Sequence, residues 1–326
     1  MTESLRSRAD GGRQPAFGAS SAVAKIDLPR LDPARPVAGA FGLLVHAILG
    51  HWLANQSAAL DGQAEGVHQM RIAIRRLKTL FNLFRPYIAK SDYAAVRDTL
   101  TRTGRVLGSA RDWDVFIGET LADAARKPRT RAVARRIAAV VGPRRARSHR
   151  EVAKTIRAPA YTMFMLHINH RLEAQRRLVA IDGGPAASIA DVSGRLLERQ
   201  AHKARTAGKR VRALSAKRRH DLRKKLKKLR YSVEFLAALY DARPVERYRA
   251  RLQQVLDVLG ELNDLAVARE RFVEAAGSKP KARRAARALR KRWAHRKSRL
   301  LRRLPNAWRR LEKVKPFWDD PTAAAR

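Results

Sequence analysis

The chain repeats itself, without a gap, at a fixed offset of 152 residues. VHQMRIAIRRLKTLFNLF, starting at Val67, aligns with RHDLRKKLKKLRYSVEFL, starting at Arg219. His68 meets His220, Arg71 meets Arg223, Arg75 meets Lys227, Arg76 meets Lys228, Leu77 meets Leu229 and Lys78 meets Arg230. Further on, VLGSARDWDV from Val106 meets VLGELNDLAV from Val258, and Lys127-Pro128-Arg129 meets Lys279-Pro280-Lys281. Chance likeness between two amphipathic basic helices accounts for the first block alone. It does not also reproduce Leu-Gly-x-x-x-Asp and Lys-Pro at the same offset. Two related units are therefore fused head to tail, and the spacing predicts that they face each other across a pseudo-twofold axis.

Both units read as helix. From about residue 38 onward apolar residues recur at three and four, and period-two runs of β-branched residues are scarce. Breaks are predicted at Asp61-Gly62, Arg85-Pro86, Gly108, Lys127-Pro128, Gly142-Pro143, Gly208, Arg243-Pro244, Gly260, Lys279-Pro280 and Leu304-Pro305, with the strongest at 181–188, IDGGPAAS. The expected organisation is a disordered tail over 1–37, a first helical half over 38–180 and a second over 188–318.

The fold has to carry an unusual charge. The 71 Lys and Arg residues against 29 Asp and Glu give a formal net charge of +42, yet 45% of the residues are hydrophobic. That apolar content excludes a wholly disordered polycation. The tail over 1–37 carries only six cations and four acids, so nearly all of the excess sits on the part that folds. A field of this sign collects anions and points to a polyanionic partner. The chain has no Cys, which removes disulfides, thiolate metal sites and Cys nucleophiles from consideration. The longest apolar run, Val37 to Leu49, contains His46 and is shorter than the ~20 residues of a membrane span. The N-terminus lacks an apolar signal core, and the expectation is a cytoplasmic protein.

Helical geometry sorts each repeated block into two stripes. Val67, Met70, Ile74, Leu77, Phe81 and Phe84 form an apolar seam in the first, with His68, Arg71, Arg75 and Lys78 beside it. Leu222, Leu226, Leu229, Val233 and Leu236 form the second seam, beside His220, Arg223, Lys227 and Arg230. Arg76, Lys224 and Lys228 widen the positive surface. A solvated cationic face normally carries acids at i±4, but Val67 to Tyr87 contains none, and Arg219 to Phe235 contains only Asp221 and Glu234. Like charges at that spacing destabilise a helix by a few tenths of a kcal/mol per pair, so the stripes call for an external anion.

His68 and His220 occupy matched positions next to Arg at i+3, which suits phosphate contacts when they are protonated. Metal binding is disfavoured there because the neighbouring Arg and Lys repel a cation. His167 and His170 read as structural. Asp112 and Asp264 follow Leu-Gly in both copies and sit in basic surroundings, so orienting an Arg or capping a helix is expected rather than acid–base catalysis.

These four blocks resemble the CHAD family, the conserved-histidine α-helical domain, over essentially residues 38–318. The resemblance implies an all-α fold of two pseudo-twofold-related four-helix bundles around a basic central cavity. It also implies binding of inorganic polyphosphate and association with polyphosphate granules. The binding residues it implies are His68, Arg71, Arg75, Arg76, Lys78, His220, Arg223, Lys224, Lys227, Lys228 and Arg230. No E-x-E-x-K string of a triphosphate-tunnel domain is present, no cofactor is implied, and no catalysis is expected. The basic segment Lys281 to Arg303 and the N-terminal tail depart from the family pattern. Polyphosphate suits a dense array of cations, since it offers only non-bridging oxygens and no base edges. Nonspecific nucleic-acid binding is the alternative, favoured by the C-terminal basic run. Against it, aromatics make up only 6% of the chain and do not interleave with the stripes. An enzyme acting on phosphates lacks support, as there is no GxxxxGK[ST] string.

Overall fold

The computed structural model describes residues 22–126, 128–174, 187–276 and 280–319, and among these no β-strand occurs. The first unit holds α1 (Val37–Ala54), the short α2 (Gln56–Leu60), α3 (Ala64–Leu83) and α4 (Lys90–Val115). A π-helical stretch, Phe116–Leu121, leads from α4 into α5 (Ala122–Ala125), followed by α6 (Pro128–Arg157) and α7 (Pro159–Ala174). The second unit holds α8 (Ile189–Gly208), α9 (Ala216–Leu236), α10 (Ala242–Ala276) and α11 (Pro280–Glu312).

Four helices of each unit begin 152 residues apart: Val37 and Ile189, Ala64 and Ala216, Lys90 and Ala242, Pro128 and Pro280. The duplication thus reaches α1 and α8, whose sequences have diverged beyond recognition. Within each unit the helices pack in chain order, α1–α3–α4–α6 and α8–α9–α10–α11. The units meet through α1 on α8 and α3 on α9, while α6 touches α10 and α11. Pro36 and Ser188, mates at the 152 offset, form an antiparallel bridge. The Val37 N–H donates to the Ala187 carbonyl at 3.3 Å, and the Ile189 N–H donates to the Arg35 carbonyl at 2.8 Å. A residue that meets its own mate, with reciprocal bonds on either side, lies on a twofold axis.

Both predicted seams are core. Val67, Met70, Ile74, Leu77, Phe81 and Phe84 are buried, and so are Leu222, Leu226, Leu229, Val233 and Leu236. One continuous hydrophobic cluster runs through both units, with a smaller one around Trp113, Phe116, Leu121, Ile137 and Val141. Below the smaller cluster a buried polar knot ties α4 to α6. The Asp114 carboxylate accepts from Arg145 Nε at 2.6 Å and pairs with His149 Nε2 at 3.0 Å. Burial pushes the Asp114 carboxyl up, but His149 and Arg145 together hold it below its ordinary value.

Several expectations require correction. The tail does not run disordered to residue 37. Leu31 is buried, and the Asn55 side chain exchanges two hydrogen bonds with the Ala24 backbone at 3.0 and 3.1 Å. Residues 1–21 lie outside the described residues, as does most of the 181–188 break. Gly108, Gly142-Pro143, Gly260 and Leu304-Pro305 break nothing, for α4, α6, α10 and α11 run through them. Packing of an amphipathic face overrides the local propensity. Lys281 to Arg303, which departs from the family pattern, is helical as expected. It belongs to α11, the mate of α6, which buries Leu300, Leu304, Trp308 and Leu311. The apolar run also extends further than Leu49. All 18 residues of α1 are apolar enough to cross a membrane by length and composition, with 50% of them buried. Its Leu44, Val45, Ile48 and Trp52 are core residues against α3 and α8.

Gly66 lets α2 and α3 approach closely. A Cβ there would fall 2.6 Å from the Ala59 amide nitrogen and 2.7 Å from the Ala58 carbonyl carbon. Backbone cannot yield as a flexible side chain does. Gly66→Ala is expected to lower stability by about 1–3 kcal/mol, read from denaturant midpoints at constant m.

Candidate anion-binding site

The α3–α9 contact brings the two basic stripes together. Arg71 and Arg75 come from α3, and Arg223 and Lys227 from α9. All four are partly buried, because each stripe borders the seam its helix turns into the core. Burial first, and then the charges of Arg71 and Arg223, depress the Arg75 pKa, while Tyr231 opposes them. Burial, followed by Arg75, Arg223, Arg230 and Arg71, lowers the Lys227 pKa to about 7. Burial and then Arg71 depress the Arg223 pKa, where Asp264 and Tyr231 oppose them. The cations of both units therefore share one electrostatic neighbourhood.

Their counter-charges are unequal. Arg71 donates to Asp112 Oδ1 at 3.0 Å and to the Gly108 carbonyl at 3.3 Å. Asp112 thus orients an Arg, and from α10 Arg271 approaches its other oxygen at 4.0 Å. Asp264 holds charge near Arg223 without a hydrogen bond to it. Arg75 and Lys227, twofold mates, have no ion pair with a carboxylate among the described residues. The least compensated charges are thus a pair of mates, one on each of the two helices that meet.

Other predicted residues separate into different roles. Lys78 donates to Thr101 at 3.0 Å, and its mate Arg230 donates to Gln253, the mate of Thr101, at 3.4 Å. Burial and then Lys228, Arg105 and Arg97 lower the Lys78 pKa, so the positive track continues past the centre. Lys203 extends it, its pKa lowered by burial and then by Arg199, Lys228, Arg85 and Lys225. Lys224 and Lys228 are exposed, and Lys224 pairs with Asp221 at 2.7 Å. Arg76 is already paired. It donates to Glu234 Oε2 at 2.9 Å across the α3–α9 contact and lies over the Tyr231 ring, 5.4 Å from its centre. The sequence shows no acid near Arg76 on its own helix, and its partner is supplied by the other unit.

The two histidines match in sequence but not in surroundings. His68 is half-buried, and its pKa is lowered by burial and then by Arg111, with Arg71 and Arg75 adding and Glu65 opposing. The empty protein therefore favours the neutral imidazole, and a phosphate contact through a protonated His68 needs the anion to draw in the proton. His220 is exposed, and its Nδ1 lies 2.9 Å from Asn263 Oδ1. Arg111 and Asn263 are themselves 152-offset mates, and nothing in their own residue types marks them as a pair. His167 and His170, read from the sequence as structural, are both exposed on α7. No group of three or more His, Asp or Glu able to hold a metal occurs among the described residues. Two cavities, of about 390 and 380 Å³, lie in the second unit and not at the cationic centre.

An internally duplicated all-α protein, with unpaired cations gathered where its halves meet, is the class this architecture defines. The CHAD domain profile matches residues 44–273, and the chain belongs to the CHAD family. No curated protein matches it. Among solved structures, the CHAD domain from the plant Ricinus communis shares the fold at a TM-score of 0.77 and 25% identity, over 90% of this chain and 98% of that one. PptA from Streptomyces chartreusis matches at a TM-score of 0.65 and 15% identity, over 84% of this chain and 99% of that one, which shows a common fold.

Proposed function

We propose that the chain is a non-catalytic, cytoplasmic receptor for inorganic polyphosphate, associated with polyphosphate granules and binding at the α3–α9 contact. The observation that carries this reading is the pair Arg75 and Lys227. Two half-buried cations without carboxylates raise the energy of the empty protein, and an anion between them removes that energy. His68, Arg71, Arg223 and Arg230 flank them, and Lys78, Lys228 and Lys203 continue the track toward the ends of α3 and α8. A flexible chain of phosphates matches a track of this kind, since each unit adds a charge without demanding a fixed shape.

Nonspecific nucleic-acid binding has an observation of its own. The exposed face of α6 carries Arg135, Arg136, Arg147, Arg150 and Lys154 with Glu151 as its acid, and α11 exposes Lys297, Arg299, Arg302 and Arg303. Those cations are solvated and give weak, salt-sensitive contacts. Titrating polyphosphate against a labelled protein–DNA complex at ~150 mM salt separates the readings. Displacement far below charge equivalence, abolished by Arg71→Ala/Arg75→Ala/Arg223→Ala/Lys227→Ala, is the expected result. Displacement only at equal charge concentration would leave a generic polycation. Long-chain polyphosphate is also expected to raise the melting temperature more than the same concentration of orthophosphate. At ~100 times Kd the gain is about 2.7 kcal/mol.

A further inference from the structure

The two units are built to one plan, so a place where they differ needs its own explanation. Near the start of the first unit, Leu49 and Trp52 of α1 fill the space beside α3 and are buried. Trp52 is held by α7, with the Tyr161 and Phe164 rings at 6.0 and 6.3 Å. Their mates in α8 are Ala201 and Ala204. In place of α7 the second unit has a short 3-10 turn, Phe317–Asp319, after α11. Trp308 and Tyr248 take up part of the lost volume, and a cavity of about 390 Å³ remains.

The walls of this cavity are apolar: Ala201, Ala204, Leu226, Leu229, Trp308 and Leu311. Its polar groups have the wrong sign for this protein. Glu198, Glu312 and Asp319 line it against a single cation, Arg205, in a chain with 71 Lys and Arg and 29 acids. Glu198 is held in place by Arg205 and by the Trp318 indole N–H at 3.3 Å. Glu312 and Asp319 form no ion pair among the described residues. The mate of Glu198 in the first unit is His46, so the acid is specific to the second. The neighbouring cavity of about 380 Å³, lined by Lys209, Arg210, Arg212 and Arg309 with Glu312, has the ordinary cationic character of the surface.

We propose that this cavity binds a small organic cation with an apolar body, an alkyl- or arylammonium. Its body would lie among Leu226, Leu229 and Trp308, with its charge at the mouth formed by Glu198, Glu312 and Asp319. A concave pocket with apolar walls and a few converging polar groups is the usual form of a small-molecule site. Aromatic walls and the carboxylates at the mouth, with Glu312 and Asp319 exposed and Glu198 partly buried, together favour positive charge through the ring quadrupole and through Coulomb attraction. A cation has to approach against the field of the whole protein, so binding there requires a local field of the opposite sign.

Isothermal titration of the full chain at pH 7 tests this with benzylammonium and its neutral analogue benzyl alcohol. Saturable binding of benzylammonium, about tenfold or more tighter than that of the alcohol, is expected. Glu198→Gln/Asp319→Asn should reduce the amine's affinity to that of the alcohol. Ala204→Trp, which restores the first unit's filling, should remove binding of both. The rim variant keeps the test valid if Ala204→Trp does not fold. Equal affinity for amine and alcohol would mean a plain apolar hole and overturn the proposal. No saturable binding, or unchanged binding in the rim variant, would overturn it equally. Arg75→Met/Lys227→Met should bind the amine as the natural chain does, which keeps this site separate from the anion site.

Discussion

Lys227→Met should make the protein more stable and a poorer polyphosphate binder at the same time. Burial and the charges of Arg75, Arg223, Arg230 and Arg71 hold the Lys227 pKa at about 7 in the folded protein. In the unfolded chain the group returns to its ordinary value near 10.4. Between those two values the unfolded chain binds the extra proton, so stability rises with pH. The slope for one proton is at most about 1.4 kcal/mol per pH unit. Methionine keeps the aliphatic volume and removes the charge. The variant should therefore melt higher than the natural chain at pH 6–7, and the difference should close as pH approaches 10. Binding runs in the opposite sense. An anion between Arg75 and Lys227 favours the charged amine, so polyphosphate binding draws in a proton above pH 7. Affinity should fall as pH rises from 7 to 9, with the His68 imidazole adding to the fall at lower pH. Losing one charge-assisted contact corresponds to about ten- to a hundredfold in affinity. Calorimetry in two buffers of different ionisation enthalpy measures the proton uptake directly. If Lys227→Met retains both the affinity and the pH slope, the anion does not sit at this lysine.

Much of this arrangement is legible from the repeat. The offset of 152 fixes which helices are mates and places Arg71, Arg75, Arg223 and Lys227 at equivalent positions. The seams were readable because a buried face of a helix must recur at three and four. Helix breaks were less so. Gly108 and Pro143 carry strong local signals, yet tertiary packing keeps α4 and α6 continuous through them. The pairing of α1 with α8 was invisible, because what is shared there is backbone geometry, seen in the reciprocal bonds of Val37 and Ile189.

The site shows the same division. A stripe of cations can be read along one helix, but the acid that cancels a cation can come from another. Asp112 was identified because its own motif repeats. Glu234 is one of two acids in its segment, and nothing local connects it with Arg76. The cavity was legible in principle as an exchange of Leu49 and Trp52 for Ala201 and Ala204. That comparison becomes possible only once the offset is known to extend through α1 and α8, beyond the part where the sequences agree.

Glu234→Gln should be the most damaging single change at the contact between the units. The carboxylate accepts from Arg76 of α3 at 2.9 Å and lies 3.5 Å from Arg230 of its own helix. Arg76 and Glu234 side chains are only 13% and 14% exposed, so water replaces little of what is lost. Both guanidiniums also face Tyr231, at 5.4 and 4.9 Å, and the ring alone does not neutralise them. Removing one partner of a buried pair costs about 3–5 kcal/mol, because the other charge stays behind. Here two cations stay behind, beside Arg75 and Lys227. Arg76→Met/Glu234→Gln removes one of them with the acid and should recover a large part of the loss. Arg76→Met alone should leave polyphosphate affinity within about threefold of the natural chain, whereas Arg75→Met should lower it by about tenfold or more. Equal losses from the two arginine variants would return Arg76 to the binding site. Polyphosphate should also raise the melting temperature of Glu234→Gln by more than it raises that of the natural chain. In that variant the ligand is the nearest source of the negative charge the contact has lost.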